Sequence, residues 1–297
     1  MSLIAFLGAI EAGLLFGLVA LGVFISFRIL DFPDLTVDGS LPLGAATAAT
    51  LIVSGVDPYL ATLAAMFAGA LAGLVTALLN VRLGILHLLA SILTMISLHS
   101  INLRVMGKPN QALLGEATVF TPFEGLGLPF YALTPVCLLV LLVLVVWLVN
   151  RFLTSEIGLG MRATGANPRM AAAQGIETGR MKMLGIALSN ALVGLAGALF
   201  AQIQGGADIT MGVGVIVVGL AAVILGEAVL STRTILLAAI GCVFGSILYR
   251  LAVAFALNAE VLGLQAQDLK LITALLVVLA MSLPTLRRRW HNARTRR

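Results

Sequence analysis

Thr154 to Lys182, TSEIGLGMRATGANPRMAAAQGIETGRMK, is a polar stretch set between two long apolar ones. Ahead of it, Cys137 to Val149 is hydrophobic at every position, and a small-residue, largely apolar run follows it. In lipid only helices and closed barrels satisfy the backbone. Barrel strands alternate polar and apolar, which Cys137 to Val149 does not, so the flanking segments read as spanning helices. The stretch carries Arg162, Arg169, Arg180 and Lys182, with Arg151 just ahead, against Glu156 and Glu177. Lys and Arg beside spanning helices stay on the cytoplasmic side. Within the stretch, Asn167-Pro168 opens the Ala-rich run Arg169 to Gln174, which stops at Gly175. Asn is a good N-cap, Pro fits the first helical position, and Gly ends helices. A short cytoplasmic helix between two spanning helices is expected. A solvated connector is the plain alternative, and charge alone does not separate the two.

Composition agrees. The chain is 60% hydrophobic and 10% charged, with a mean hydropathy of +1.10, whereas soluble domains carry roughly 25% charged residues. At ~20 residues per crossing, 297 residues leave room for about eight to ten spans and short loops. The expected fold is an all-α integral membrane protein: one domain over residues 1–286, a polytopic bundle of about eight or nine transmembrane or half-membrane helices. A basic cytoplasmic tail, 287–297, carries six Arg. Directly after a span, such a tail fixes topology and touches anionic headgroups rather than nucleic acid. Met1 to Phe27 lacks a basic n-region and is too long for a signal peptide, so it reads as a first helix. Cys137 and Cys242 lie in apolar helices as small hydrophobes, with no disulfide or metal pattern.

Spans are expected at 3–27, 39–54, 59–80, 84–103, 130–150, 183–204, 212–229, 234–256 and 268–286. Nine crossings from an outside N-terminus put the C-terminus in the cytoplasm. Fourteen of the 18 Lys and Arg then fall inside, while Asp57, Glu116, Glu124, Asp208, Glu260 and Asp268 fall outside. The longest outer loop, Val105 to Leu128, is a candidate surface for an external partner or a simple connection. Small-residue faces at Gly69, Ala70, Ala72 and Gly73, and at Gly194, Ala196, Gly197 and Ala198, predict close helix packing in lipid.

The second span is interrupted. Asp31 to Ser40, DFPDLTVDGS, precedes it, and Pro42 and Gly44 lie within it. Charges at bilayer depth cost roughly 2.5–3.5 kcal/mol or more each. Irregular backbone persists there only where it lines a cavity or is buried in protein. Asp34, Thr36, Asp38 and Ser40 are therefore candidates for a translocation path, with capping of the second helix as the equal alternative. The segment Asp208 to Glu227, punctuated by Gly212, Gly214, Gly219 and Gly226, is broken in a similar way, and the two regions are expected in related places of two halves. Glu11, an ionisable group inside the first helix, is a further path candidate, unless it only bonds a neighbouring helix. His87 and His99 lack metal-ligand spacing and read as structural.

Leu30 to Gly44, LDFPDLTVDGSLPLG, is similar to the G-x-x-DLS-V-G-S segment of ABC-importer permeases for ribose and other sugars. Ile157 to Leu199 resembles their cytoplasmic coupling loop and the small-residue helix after it, in Leu159-Gly160, Ala163, Gly165, Asn167, Ala171 to Ala173 and Gly175-Ile176. Ala221 to Gly226 resembles their AAVVLGG segment. The match runs in order along most of the chain and resembles the branched-chain amino acid and sugar permease superfamily, with DFPDLTVDGS most like its tryptophan/tyrosine-type branch. Sugar permeases carry a further N-terminal helix. Glu227 stands where a second Gly is usual, and Ser231-Thr232-Arg233 replaces Gly-Lys-Gly; these departures bear on the ligand, not the class.

The resemblance implies a permease subunit in the bacterial inner membrane, importing a small polar solute, an amino acid or related compound, by alternating access. Its implied partners are two ABC ATPase subunits, an external substrate-binding protein and a second permease copy. Arg162, Gly165, Asn167, Pro168, Arg169, Ala171, Ala172, Ala173, Gly175 and Ile176 would form the ATPase-coupling segment. No residue here is expected to perform chemistry or hold a cofactor, and the chain has no GxxxxGK[ST] phosphate loop, so ATP and Mg belong to the ATPase. The competing reading is a self-sufficient transporter or channel with Glu11 or Asp38 in proton coupling, which needs no ATPase. A lipid-acting enzyme would need clustered His, Asp or Glu at one depth, and the pattern is scattered.

Overall fold

The computed structural model describes residues 3–126, 130–230 and 233–258, with Leu275 and Val278 as two further helical positions. The expected span 268–286 and the tail 287–297 lie outside these residues, those two positions apart. Ten helices run through the described chain: α1 (Leu3–Val23), α2 (Val37–Val53), α3 (Pro58–Val81), α4 (His87–Met106), α5 (Phe130–Leu153), α6 (Glu156–Ala166), α7 (Pro168–Ala173), α8 (Thr178–Gln204), α9 (Val215–Val229) and α10 (Ile235–Asn258). A π-helical segment, Phe24–Ile29, continues α1. Among the described residues, six helices are long and apolar enough to cross a membrane: α1 with its extension, α3, α4, α5, α8 and α10. The chain is an all-α membrane bundle.

α2 and α9 are shorter, 17 and 15 residues. At 1.5 Å per residue they reach about 26 Å and about 23 Å, less than the ~30 Å hydrocarbon layer. Both are the segments whose glycines and proline interrupt the hydrophobic pattern. α9 begins only after Gly214, at φ +83°, three residues later than its hydropathy predicts.

Local chemistry sets the ends. The Asp57 carboxylate accepts from the Tyr59 and Leu60 amides, with Pro58 in the first turn of α3. Gly107 and Gly205 close α4 and α8 in left-handed backbone, at φ +69° and +72°. α8 starts at Thr178, before the expected 183, because its polar first turn need not enter lipid to be helical.

α1 and α8 form the centre, with 78% and 72% of their apolar windows buried, against 28% for α4. α8 lies against α2 and α3 as α1 lies against α9 and α10, and α2 packs on α3 as α9 packs on α10. The two interrupted helices thus hold matching places. The small-residue faces of α3 and α8 meet: a side chain at Gly69 would collide with the Asn190 carbonyl, and one at Gly73 with that of Ile186. At one end, β1 (Asn110–Ala112) pairs antiparallel with β2 (Gly206–Asp208), tying the loop between α4 and α5 to the link between α8 and α9. The Val119 amide donates to Gln202 Oε1 (2.9 Å), fixing the loop further.

Candidate functional site

The link from α1 to α2 starts at Asp31, in left-handed backbone (φ +51°), which Asp tolerates better than most residues. Asp34 Oδ1 then accepts from the Thr36 amide (2.9 Å), and Oδ2 accepts from Asn190 Nδ2 (2.6 Å). Asn190 Oδ1 in turn accepts from the Ser40 hydroxyl (2.7 Å). The Thr36 and Thr76 hydroxyls share a bond of 2.7 Å. Asp34 is 2% exposed, and Thr36, Ser40, Thr76 and Asn190 are 0% exposed. Three path candidates, Asp34, Thr36 and Ser40, therefore sit in one dry network joining the α1–α2 link to α2, α3 and α8. Asn190 is the hub, and sequence reading passed over it. Its signal was Ser189-Asn190, an adjacent polar pair inside a small-residue helix.

Asp38 lies apart from that network. Its carboxylate accepts from the Ile216 amide (2.8 Å) and the Gly214 amide (3.1 Å), so it caps α9 rather than its own helix. An acidic group at a helix N-terminus offsets the unpaired amides and the dipole. Gly212 is pressed against the Asp38 carbonyl and the Pro42 ring, with no room for a Cβ. The two broken segments meet here. Beside the junction is a cavity of about 390 Å³, walled by Asp38 and Pro42 of α2, Met95, His99 and Asn102 of α4, and Val213 of the link into α9.

The polar stretch between α5 and α8 holds two helices where one was expected. α7 follows the expected pattern: Asn167 Oδ1 accepts from the Met170 amide (3.1 Å), Pro168 is the first residue, and Gly175 turns at φ +82°. The Ile176 amide closes back on the Ala171 carbonyl (3.1 Å). Ala171 faces inward, while Arg169, Met170, Ala172 and Ala173 are exposed. α6, the additional helix, starts at Ser155, whose hydroxyl accepts from the Gly158 amide (3.4 Å). Its glycines argue against a helix by propensity, at about 1 kcal/mol each. Packing overrides this: Gly165 abuts the Ile29 carbonyl of the π segment, and Met161, fully buried, lies against Gly185 of α8. Arg162 projects outward from α6.

Other charged groups are placed singly. Arg28, at the end of the π segment, pairs with Glu227 near the end of α9 (2.6 Å), so the acidic departure noted above has a partner 199 positions away in sequence. The Arg250 guanidinium stacks over the Phe16 ring (3.8 Å), a cation–π contact that sequence reading did not foresee. Glu11 is half-buried on α1. The His87 ring meets Phe32 (5.1 Å between centroids) and Asn80 (3.3 Å).

With this geometry in view, the similarities are informative. Residues 5–282 match the family model for the branched-chain amino acid transport system permease component. The tyrosine transport system permease protein of Clostridioides difficile is 37% identical, over 89% of this chain and 86% of that protein. The ribose import permease protein RbsC of Escherichia coli K12 is 27% identical, over 84% of this chain and 75% of that one. Among solved structures, a chain of PsaBC from Streptococcus pneumoniae in complex with Fab aligns with a TM-score of 0.50, covering 93% of this chain and 89% of that chain at 14% identity; that likeness concerns the fold alone.

Proposed function

The chain belongs to the family of branched-chain amino acid transport system permease components, and from that premise we propose that it imports an amino acid or related solute for a cytoplasmic ATPase pair. It is a multi-pass membrane permease subunit; the solute class, partners and orientation are our reading. The C. difficile relative, a tyrosine transport permease by name, supports an amino acid cargo. On this reading the protein pairs with a second copy in the bacterial inner membrane and receives solute outside from a binding protein. Its N-terminus is outside and its C-terminus inside. ATP and Mg stay on the ATPase.

One observation carries the proposal: α7 is an exposed, well-capped helix beside α6, which is anchored in the bundle through Gly158, Met161 and Thr164. Arg169 and Ala172 face outward, while α6 beneath is locked through Gly165 to the Ile29 carbonyl. A push on α7 would pass through α6 into the π segment of α1 and the α1–α2 link, where Asp34 binds α8. Rigid-body rocking of packed helices is a known way to switch access between two faces. In this scheme Arg162, Arg169 and Arg180 meet acidic rims of the ATPase, Asn167, Pro168 and Gly175 shape the helix, and Ala172 and Ala173 let it enter a groove. Ala171 and Ile176 hold it to α6.

The test is co-purification from native membranes. The wild type is expected to bring an ATPase subunit with it, and a variant with Arg169→Glu and Ala172→Glu together is expected to lose it while melting unchanged, since both positions are exposed. A wild type that emerges without an ATPase, under conditions that preserve comparable complexes, refutes the proposal.

A further inference from the structure

We propose that the cavity between α2, α4 and the link into α9 binds the ammonium end of an amine-bearing solute with an apolar body, with Asp38 as the acceptor. This rests on the permease reading above and names the recognition chemistry.

The Asp38 carboxylate of the wall is an acceptor. Asn102 Nδ2 donates to the Gly39 carbonyl (3.2 Å). A carbonyl only accepts, so this bond fixes the amide's orientation and turns Oδ1 away from it. Asn102 is 1% exposed, and Oδ1 has no hydrogen-bond partner among the described residues. That oxygen is closed off from the cavity, so Asn102 shapes the wall through its bond to Gly39 rather than by meeting the solute. The Asp38 carboxylate accepts from the Gly214 and Ile216 amides, and a carboxylate has lone pairs for about four bonds.

Charge points the same way. When ionised, Asp38 sets a full negative charge against about half a positive charge at the α9 N-terminus. Among the described residues, no Lys or Arg lines the cavity. The residual field attracts a cation and disfavours a carboxylate, so of a zwitterion's two ends the ammonium is the one that fits.

The remaining wall sets the body of the ligand. Pro42, Met95 and Val213 are apolar, and about 390 Å³ lies within the range of small-molecule sites. A ring or branched chain is accommodated. His99 and Ser100 also line this space and are exposed, on the least buried of the candidate spans. His99 lies about 10 Å from the end of α4 at 1.5 Å per residue. Polar groups at that depth belong beside water or protein rather than lipid, as expected of a solute route.

The full-length protein in lipid nanodiscs is titrated with tyramine, L-tyrosine and 3-(4-hydroxyphenyl)propionate, which share a ring and differ in ammonium and carboxylate. Tyramine and tyrosine are expected within about threefold of each other, and the propionate at least about tenfold weaker. Asp38→Asn keeps an oxygen for the α9 cap and removes the charge; tyramine is expected to bind about tenfold more weakly. If that variant does not fold, Val213→Trp decides. Val213 is 64% exposed, so the indole fills the cavity from its rim without breaking a buried bond. Loss of tyramine binding at an unchanged melting temperature is expected. No tyramine binding to the wild type, equal binding of all three compounds, or unaltered tyramine binding in Val213→Trp overturns the proposal. ATPase co-purification is scored separately. An assembled importer without ammonium selectivity refutes this site and leaves the transport role intact, and selective binding without an ATPase does the reverse.

Discussion

Asn190 uses its whole amide: one oxygen for Ser40, and hydrogens for Asp34 and the Ile186 carbonyl. A buried carboxylate is tolerable only when its lone pairs are met, so removing the hub leaves Asp34 Oδ2 without its donor. Asn190→Leu is expected to destabilise by about 3 kcal/mol or more, the range for breaking a buried charged contact. Ser40→Ala, which removes one neutral donor, is expected to cost about 1 kcal/mol. Unfolding in mild detergent ranks the two, and equal effects would mean that Asp34 Oδ2 finds a donor other than Asn190. Sequence reading reached Asp34, Thr36, Asp38 and Ser40 because polar residues at an interrupted span are conspicuous. It did not reach Asn190, 150 positions beyond Ser40, nor Asn102 and Arg250, since single polar residues in apolar helices carry no sign of what they face. The same limit left Asp38 poised between helix cap and path, because its capped helix lies far along the chain.

α2 and α8 approach so closely that glycine is required where they touch. A Cβ on Gly44 would strike the Gly194 carbonyl, and one on Gly197 would strike that of Leu41. Gly8 of α1 offers a control, with nothing within 4 Å of its virtual Cβ. Gly44→Ala is expected to destabilise by about 1–3 kcal/mol through overpacking. Gly8→Ala is expected to stabilise by up to about 1 kcal/mol through helix propensity. Thermal melts of the two variants check the sign, and a neutral Gly44→Ala would show that the helices can separate. The spanning helices and α7 were legible because hydropathy and caps are local signals. α6 was not: its glycines read as breakers, and the carbonyl of Ile29 and the buried Met161 that make them useful belong to tertiary packing.

The two ends of the bundle differ in charge, and contacts rather than hydropathy gather each end. At one end, Tyr59 OH donates to the Val119 carbonyl (3.3 Å) beside Asp57, and Asn110 pairs with Asp208 across the strands. That end holds Asp57, Glu116 and Asp208, with Arg104 and Lys108. At the other, Gly165 meets Ile29, next to Arg28, and Gly179 meets Val81, next to Arg82. Arg162, Arg169 and Arg180 are in the same region of the chain, so the basic residues collect around α6 and α7. Positive charge marks the cytoplasmic side, and the membrane potential favours it there by ~2.3 kcal/mol per charge per 100 mV. The prediction is an asymmetric labelling pattern in a background with Cys137→Ala and Cys242→Ala. Leu114→Cys, at a position 87% exposed, is expected to react with a membrane-impermeant maleimide added outside right-side-out vesicles. Gln174→Cys, exposed at the end of α7, is expected to react only after permeabilisation. Reaction of Gln174→Cys from outside would invert the bundle, and with it any role for α7 at an ATPase, because the helix would then face the side where no ATP is available.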